Sequence, residues 1–526
     1  MALADHAAEL FLIGYAGAEP TPLVTSLIRD QGLAGVILFA RNLSSAEQVR
    51  ASLRHLRSLS PGLPPLIAVD QEGGVVSRIG GTSSQLTGTP WPGAMTLGAA
   101  GSTDLARQVA RGVGLELRAL GIDMNLAPVM DVNNNPANPV IGVRSFGETP
   151  DLVAALGEAT ITGLREAGVI ATAKHFPGHG DTAVNSLSRL ASVPHDRARL
   201  DSVELVPFRR AIAAGVDAIM ATHVAFPAVE PDPMLPATLS RAVLTGLLRE
   251  ELGFQGVILT DCLEVPSIVE TFGTAKAAVA AIAAGADLVL VSHTPERQLG
   301  AIEAVREAIA TGRIPPERAA EALERVRALR RRLSETGPDP ELAVVGCEAH
   351  QGLAREAAAR GVTVLGELDR LRPVDPSRTV LIAVDPNPLI GVEEREPTGS
   401  PVLQAMGELA PTMRRMGIRR HPLTAEALRA IEYSAGCDLV LVATYCAHLF
   451  PAQADLIRLL IRSGRRVAVI AQRGPYDLTV TPGVVGAVIM YEDRMLPARA
   501  SVRYLLGQAD APGRLPATVA IPPLRP

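Results

Sequence analysis

Six short apolar runs in the first three hundred residues end on side chains that can hold or move charge. The run 65–69 leads into Asp70-Gln71-Glu72-Gly73-Gly74, with Arg78 just beyond. The run 124–129 opens a long polar loop that contains Asp131 and Arg144. The run 170–174 ends in Lys174-His175 and continues through a Gly/His/Asp-rich turn holding His179 and Asp181. Later runs end in His223, in Asp261 and in Ser292-His293. An Asp set among Arg and Lys stays ionised, because nearby cations lower its pKa. An ionised carboxylate is one of the side chains able to form a covalent intermediate. One charged strand end is readily explained as a structural ion pair, but six in succession point to a shared site.

Something must bring these ends to one rim. Apolar runs at 10–14, 35–39, 65–69, 124–129, 170–174, 218–223, 257–261 and 288–292 alternate with helical patterns. Several are apolar throughout, as strands buried on both faces should be. Eight strands alternating with helices over this length predict a (β/α)₈ TIM barrel, whose catalytic groups sit at the C-terminal ends of its strands. A doubly wound open sheet is the rival, but no glycine-rich dinucleotide fingerprint follows the first strand. Helices are expected at 102–120, 152–167 and 240–252, and at 201–213 with Asp201 as N-cap and Glu204 completing a capping box. The Arg-rich stretch 317–333 reads as a solvated helix face.

The barrel is expected to span 1–335, followed by a linker over 336–360 that opens on a Gly/Pro-punctuated break. A smaller α/β sandwich domain then fills 361–526, with strands at 380–384, 439–443, 467–471 and 487–490 and helices at 402–409, 425–433 and 452–463. A polar loop carrying Glu393, Glu394 and Glu396 directly follows its strand 380–384. That is the end of a parallel strand where open α/β sheets place function.

Composition narrows the classes. Apolar residues make up 47% and charged residues 20%, ordinary for a globular protein. The net charge of −5 is interspersed, and no basic stripe suggests nucleic acid. Aromatics are only 3%, so a ligand site here must lean on polar contacts or on its few rings. Cys262, Cys347, Cys437 and Cys446 fit neither a zinc pattern nor a disulfide framework and read as reduced thiols. No His/Cys/Asp cluster has ligand spacing, so no metal or cofactor is expected. No apolar run reaches membrane-span length and no signal peptide is evident, so no membrane partner and a cytoplasmic location are expected.

The segments "VDQEGGVVSRI", "NNNPANPVIGVRSFG", "KHFPGHGDT" and "PATLSRAVLTGLLREELGFQGVILTD" resemble glycoside hydrolase family 3, in its two-domain β-N-acetylhexosaminidase branch. The resemblance covers nearly all of the first domain. It implies a retaining mechanism on a small β-linked carbohydrate substrate, N-acetyl-β-hexosaminides in the case of this branch, through a covalent glycosyl-enzyme. It implies Asp261 as the nucleophile. It also implies Asp70, Arg144, Lys174 and His175, with Arg78 as a further candidate, as the groups that hold the sugar.

The branch places its proton donor in an Asp-Ser-His pattern after "KHFPGHGDT". Here Asn185 stands at the Asp position and Leu187 at the His position. Leu cannot transfer a proton, and Asn cannot support an imidazolium. Three readings follow. The acid/base is another group, among His179, Asp181, Glu393, Glu394 and Glu396, as in a β-glucosidase-like variant; or the reaction needs no such proton, as in a phosphorolytic or glycosyl-transferring variant; or the protein binds a sugar or muropeptide-like ligand with little turnover.

Overall fold

The computed structural model describes residues 2–81, 84–393 and 399–522. Eight parallel strands form the first sheet: β1 (Phe11–Ile13), β2 (Gly35–Leu38), β3 (Leu66–Val69), β4 (Met124–Asn125), β5 (Ile170–Phe176), β6 (Ala218–Ala221), β7 (Val257–Thr260) and β8 (Val289–Val291). They lie in the order 7-6-5-4-3-2-1-8, and a parallel bridge between Leu259 and Leu288 joins the two ends into the expected barrel. Alternation along each strand decides which way side chains point. Leu12, Ile37, Ala68, Met124, Met220 and Leu259 turn inward to one buried cluster. Phe11, Ile13, Val36 and Val69 turn outward and pack with the surrounding helices.

The helix Thr103–Leu120 begins as expected, with Ser102 as N-cap accepting from Leu105 N. The segment 201–213 does not. It splits into Arg197–Ser202, capped by Asp196, and Leu205–Ala213. Asp201 lies inside the first piece and pairs with Arg197 and Arg209. Asp196 wins the cap because its side chain accepts the Arg199 N–H.

The Arg-rich helix Pro316–Glu335 is more than a solvated face. Val326 and Leu329 enter the inner barrel cluster and close its lower end. Arg318 and Arg325 pair with the buried Asp287, Arg332 with the buried Asp217, and Arg330 is itself buried, donating to Pro64 O. Asp287 and Asp217 also accept the backbone N–H groups of Ile258 and Ala171, so these arginines neutralise carboxylates that tie strands together.

In the stretch expected as linker, the helix Glu348–Gly361 packs on the barrel helix Ala94–Ala100. The second sheet has six strands: β9 (Thr363–Gly366), β10 (Thr379–Val384), β11 (Arg414–Ile418), β12 (Leu439–Thr444), β13 (Val467–Ala471) and β14 (Gly486–Ile489). Their order is 9-14-13-12-10-11, parallel except for β9 against β14. The C-terminal ends of this sheet face the barrel. Glu492, beyond β14, accepts from Gly93 N at 2.9 Å. Tyr476, beyond β13, accepts at its hydroxyl from Asn133 at 3.0 Å. Val392, beyond β10, offers its carbonyl to Arg78 at 2.8 Å. Val75, Met95 and Val143 of the barrel share an apolar cluster with the second sheet.

Among the described residues, no helix is long and apolar enough to cross a membrane. The four cysteines are free.

Candidate active site

A cavity of about 650 Å³ opens at the C-terminal rim of the barrel. Its lining includes Asp70, Arg78, Arg144, Lys174, His175 and Asp261. These are the nucleophile and the five sugar-holding residues expected from the sequence, and one cavity brings them together.

Glu72 organises the floor. The bulge after β3 turns it inward, where its carboxylate accepts from Arg144 Nε and Nη2 at 2.9 and 2.8 Å. Lys174 Nζ stands 2.6 Å from the same carboxylate and 2.7 Å from Asp70 Oδ1. Burial works against charge on Glu72, yet Arg144 and Lys174 outweigh it and hold its carboxyl far below the usual range. Burial likewise opposes charge on Lys174, but Asp70 and Glu72 overcome it and raise its pKa. Lys174 is 2% exposed and Asp70 19%, so Asp70 is the member of this network that faces an incoming ligand. Arg144, tied to Glu72 and to Val140 O, serves the floor as well as the cavity.

Asp131, beyond β4, is wholly buried and accepts from His175 Nδ1 at 2.7 Å. It also accepts from the backbone N–H of His175 and of His179. Burial opposes its ionisation; the two histidines prevail, and its pKa is lowered. This carboxylate fixes the ring of His175 with Nε2 left for the cavity.

Asp261 follows β7. Its Oδ1 accepts from Cys262 N at 2.6 Å. Burial raises its pKa, but His223, His175, the Cys262 N–H and Lys174 together lower it further, so the carboxylate is ionised. His223 braces the same turn: Nε2–H donates to Cys262 O at 3.0 Å and Nδ1 lies 2.8 Å from Thr238 Oγ1. His293 lines the cavity beside Phe39 and Arg41.

The expected proton-transfer residues separate. His179 lines the cavity, with Nε2 at 2.5 Å from Ser186 Oγ and Nδ1 at 3.2 Å from Thr182 Oγ1. Burial lowers its pKa to about 4, so it is neutral at pH 7. Gly180 permits this turn, since a Cβ there would meet Val132 O at 1.8 Å. Asp181 is not in the cavity lining and is turned to His195 Nε2 at 2.6 Å. Asp181, His195 and Glu204 form a set of ligand types within 4.8 Å of one another, which sequence spacing does not reveal. Arg199 supplies a cation there. Glu393 reaches the cavity but is buried in an ion pair with Arg473 and also accepts from Leu389 N at 2.8 Å. A carboxylate so held is occupied by its partners and is not presented to a leaving group. Glu394 and Glu396 lie outside the described residues.

Asn185 and Leu187 have local roles. Asn185 Oδ1 accepts from Leu187 N at 3.0 Å, closing a turn on itself. Leu187 packs with Leu389, Ile390 and Val392 of the second domain. Glu72 and Asp131 are the functional groups that sequence reasoning left without a role. Their position at the ends of β3 and β4 was the available signal.

A barrel rim that joins an ionised Asp to a carboxylate–lysine–imidazole pocket defines a glycosidase type of site. The family profile described as glycosyl hydrolase family 3 N terminal domain matches residues 3–329, and the chain belongs to that family. A Beta-hexosaminidase A of Pseudoalteromonas piscicida is 34% identical over 367 residues, 65% of this chain and 61% of that protein, so the match spans under two thirds of that relative. A Beta-hexosaminidase of Stenotrophomonas maltophilia (strain R551-3) is 39% identical over 303 residues, 56% of this chain and 87% of its own. The structure of a glycoside hydrolase family 3 beta-N-acetylglucosaminidase from Paenibacillus sp. str. FPU-7 superposes with a TM-score of 0.90 at 39% identity, covering 98% of this chain and 99% of that one.

Proposed function

We propose that the chain is a retaining β-glycosidase acting on N-acetyl-β-hexosaminides through a covalent glycosyl–Asp261 intermediate. The observation that carries this reading is Asp261, ionised at the end of β7, in the same cavity as Asp70, Lys174 and His175. Asp70 and Lys174 would grip sugar hydroxyls, and His175, oriented by Asp131, would add a further contact. The N-acetylated sugar is favoured by the names of these relatives, one of which, the Paenibacillus beta-N-acetylglucosaminidase, covers 98% of this chain.

Retaining hydrolysis needs an acid for the first step and a base for the second. His179, neutral and bonded to Ser186 in the cavity lining, is the group we assign to take the proton of the attacking water. A binding protein with little turnover is the competing reading, favoured by Leu187 at the donor position. An aryl N-acetyl-β-glucosaminide separates them. Turnover that Asp261→Asn abolishes supports the enzyme; calorimetric sugar binding with no turnover supports the binder.

A further inference from the structure

We infer that the cavity wall carrying Leu187 is an apolar subsite for the leaving group, and that the substrates are β-glycosides with an aromatic aglycone that departs as an aryloxide. This rests on the nucleophile reading above and adds the aglycone class to it.

Leu187 is built into its place. It stands with Leu389 and Val392 against the buried Val129, Val140, Ile141 and Ile390, so one apolar cluster spans the barrel loop and the second-domain loop. Leu187 and Val392 also line the cavity. Leu187 O accepts from Ser267 N, which carries the loop across to the turn that follows Asp261. Val265 and Pro266 of that turn line the same cavity. The place a proton donor would occupy is therefore a hydrocarbon surface beside the nucleophile's own turn.

The charged groups around it are already committed. Glu72 is held by Arg144 and Lys174, Glu393 by Arg473, and Glu264 accepts from Thr294 N and His293 N. His179 is neutral. Each of these three carboxylates is engaged by a cation or by backbone N–H groups, so none is presented to a leaving oxygen beside Leu187. An alkoxide cannot leave such a site readily, because its expulsion needs protonation. A phenolate can, since its conjugate acid has a pKa near 10. An apolar wall and an unassisted departure together select an aryl group.

The step balances. An Asp261 carboxylate oxygen bonds to the anomeric carbon as the carbon–oxygen bond to the aglycone breaks. The aryloxide leaves with the electron pair and takes its proton from solvent. Water then attacks the anomeric carbon, loses its proton through His179 to solvent, and the Asp261 carboxylate is released.

The test uses the full chain and a series of aryl N-acetyl-β-glucosaminides with graded phenol pKa. The expected result is that log kcat/KM falls steadily as that pKa rises, and that the methyl glycoside is cleaved roughly 10²–10⁴-fold more slowly than an enzyme with a general acid would manage. A flat dependence, or methyl cleavage within tenfold of phenyl, overturns the inference. Binding is read separately with the phenyl and methyl 1-thio-β-glycosides. The phenyl compound should bind roughly tenfold or more tightly, and Leu187→Ser should narrow that ratio while Leu187→Met keeps it. Equal affinities, or a ratio unmoved by Leu187→Ser in a folded variant, overturn the subsite. Asp261→Asn keeps the two readings distinct. A fully active Asp261→Asn sinks the nucleophile reading; an inactive one with a flat leaving-group series sinks only the aglycone inference.

Discussion

Replacing Glu72 by Gln tests the floor of the site in the simplest way. The change keeps the shape and removes one charge. In the native protein two carboxylates, Asp70 and Glu72, balance two cations, Arg144 and Lys174. Glu72, Arg144 and Lys174 have side chains only 6%, 5% and 2% exposed, so solvent cannot take over the lost partner. The Gln variant leaves one uncompensated buried positive charge. Breaking a buried pair in this way costs about 3–5 kcal/mol. With the barrel as the unfolding unit and about 2.1 cal/mol/K of unfolding entropy per residue, that corresponds to a fall in Tm of roughly 4–7 °C. Urea titration and calorimetry measure both quantities. Adding Lys174→Met restores the charge balance, so the double variant should be less destabilised than the two single losses added together. A loss below about 1 kcal/mol for Glu72→Gln, or strict additivity in the double variant, would show that Glu72 is not the counter-charge of Arg144 and Lys174.

Other outcomes follow from the same geometry. Burial holds His179 at about 4, against about 6.5 in an unfolded chain, so the unfolded state binds more protons between these values. Its contribution to stability is complete above pH 6.5 and is lost as pH falls toward 4, by up to about 3 kcal/mol, and His179→Gln should flatten that part of the urea-midpoint profile. Arg473→Met strands the buried Glu393 carboxylate and should cost about 3–5 kcal/mol, most of which Glu393→Leu in the same chain should return. The pair Asn185→Asp and Leu187→His should raise cleavage of alkyl N-acetyl-β-glucosaminides by up to about 10²–10⁴-fold, read as initial rates; no gain would show that the loop cannot present a proton donor.

Much of the barrel is legible in the sequence because its strands are short, apolar and regularly punctuated, and because ligand-facing residues fall at their C-terminal ends. The second domain was legible only in part. β11, with sequence RRMGI, lies at the sheet edge with Arg414 exposed, so it lacks an apolar signature, and β9 is a short antiparallel addition. Residue type alone did not separate His179 from Asp181, which stand two positions apart, yet the first faces the cavity and the second pairs with His195. The arginines of the helix Pro316–Glu335 looked solvated because their partners, Asp217 and Asp287, are distant in sequence. Leu187 was visible as a departure from the family pattern, but its partners Leu389 and Val392 come from the other domain, and no periodicity links them.

The central claim is that Asp261 becomes covalently glycosylated. A 5-fluoro-N-acetyl-β-glucosaminyl fluoride, incubated with the full chain and followed by peptide mass spectrometry, tests it most directly. A single sugar adduct on the peptide containing Asp261, with none in Asp261→Asn, is the expected result. An adduct on another carboxylate, or turnover of the fluoride by an Asp261→Asn chain at the native rate, would contradict it.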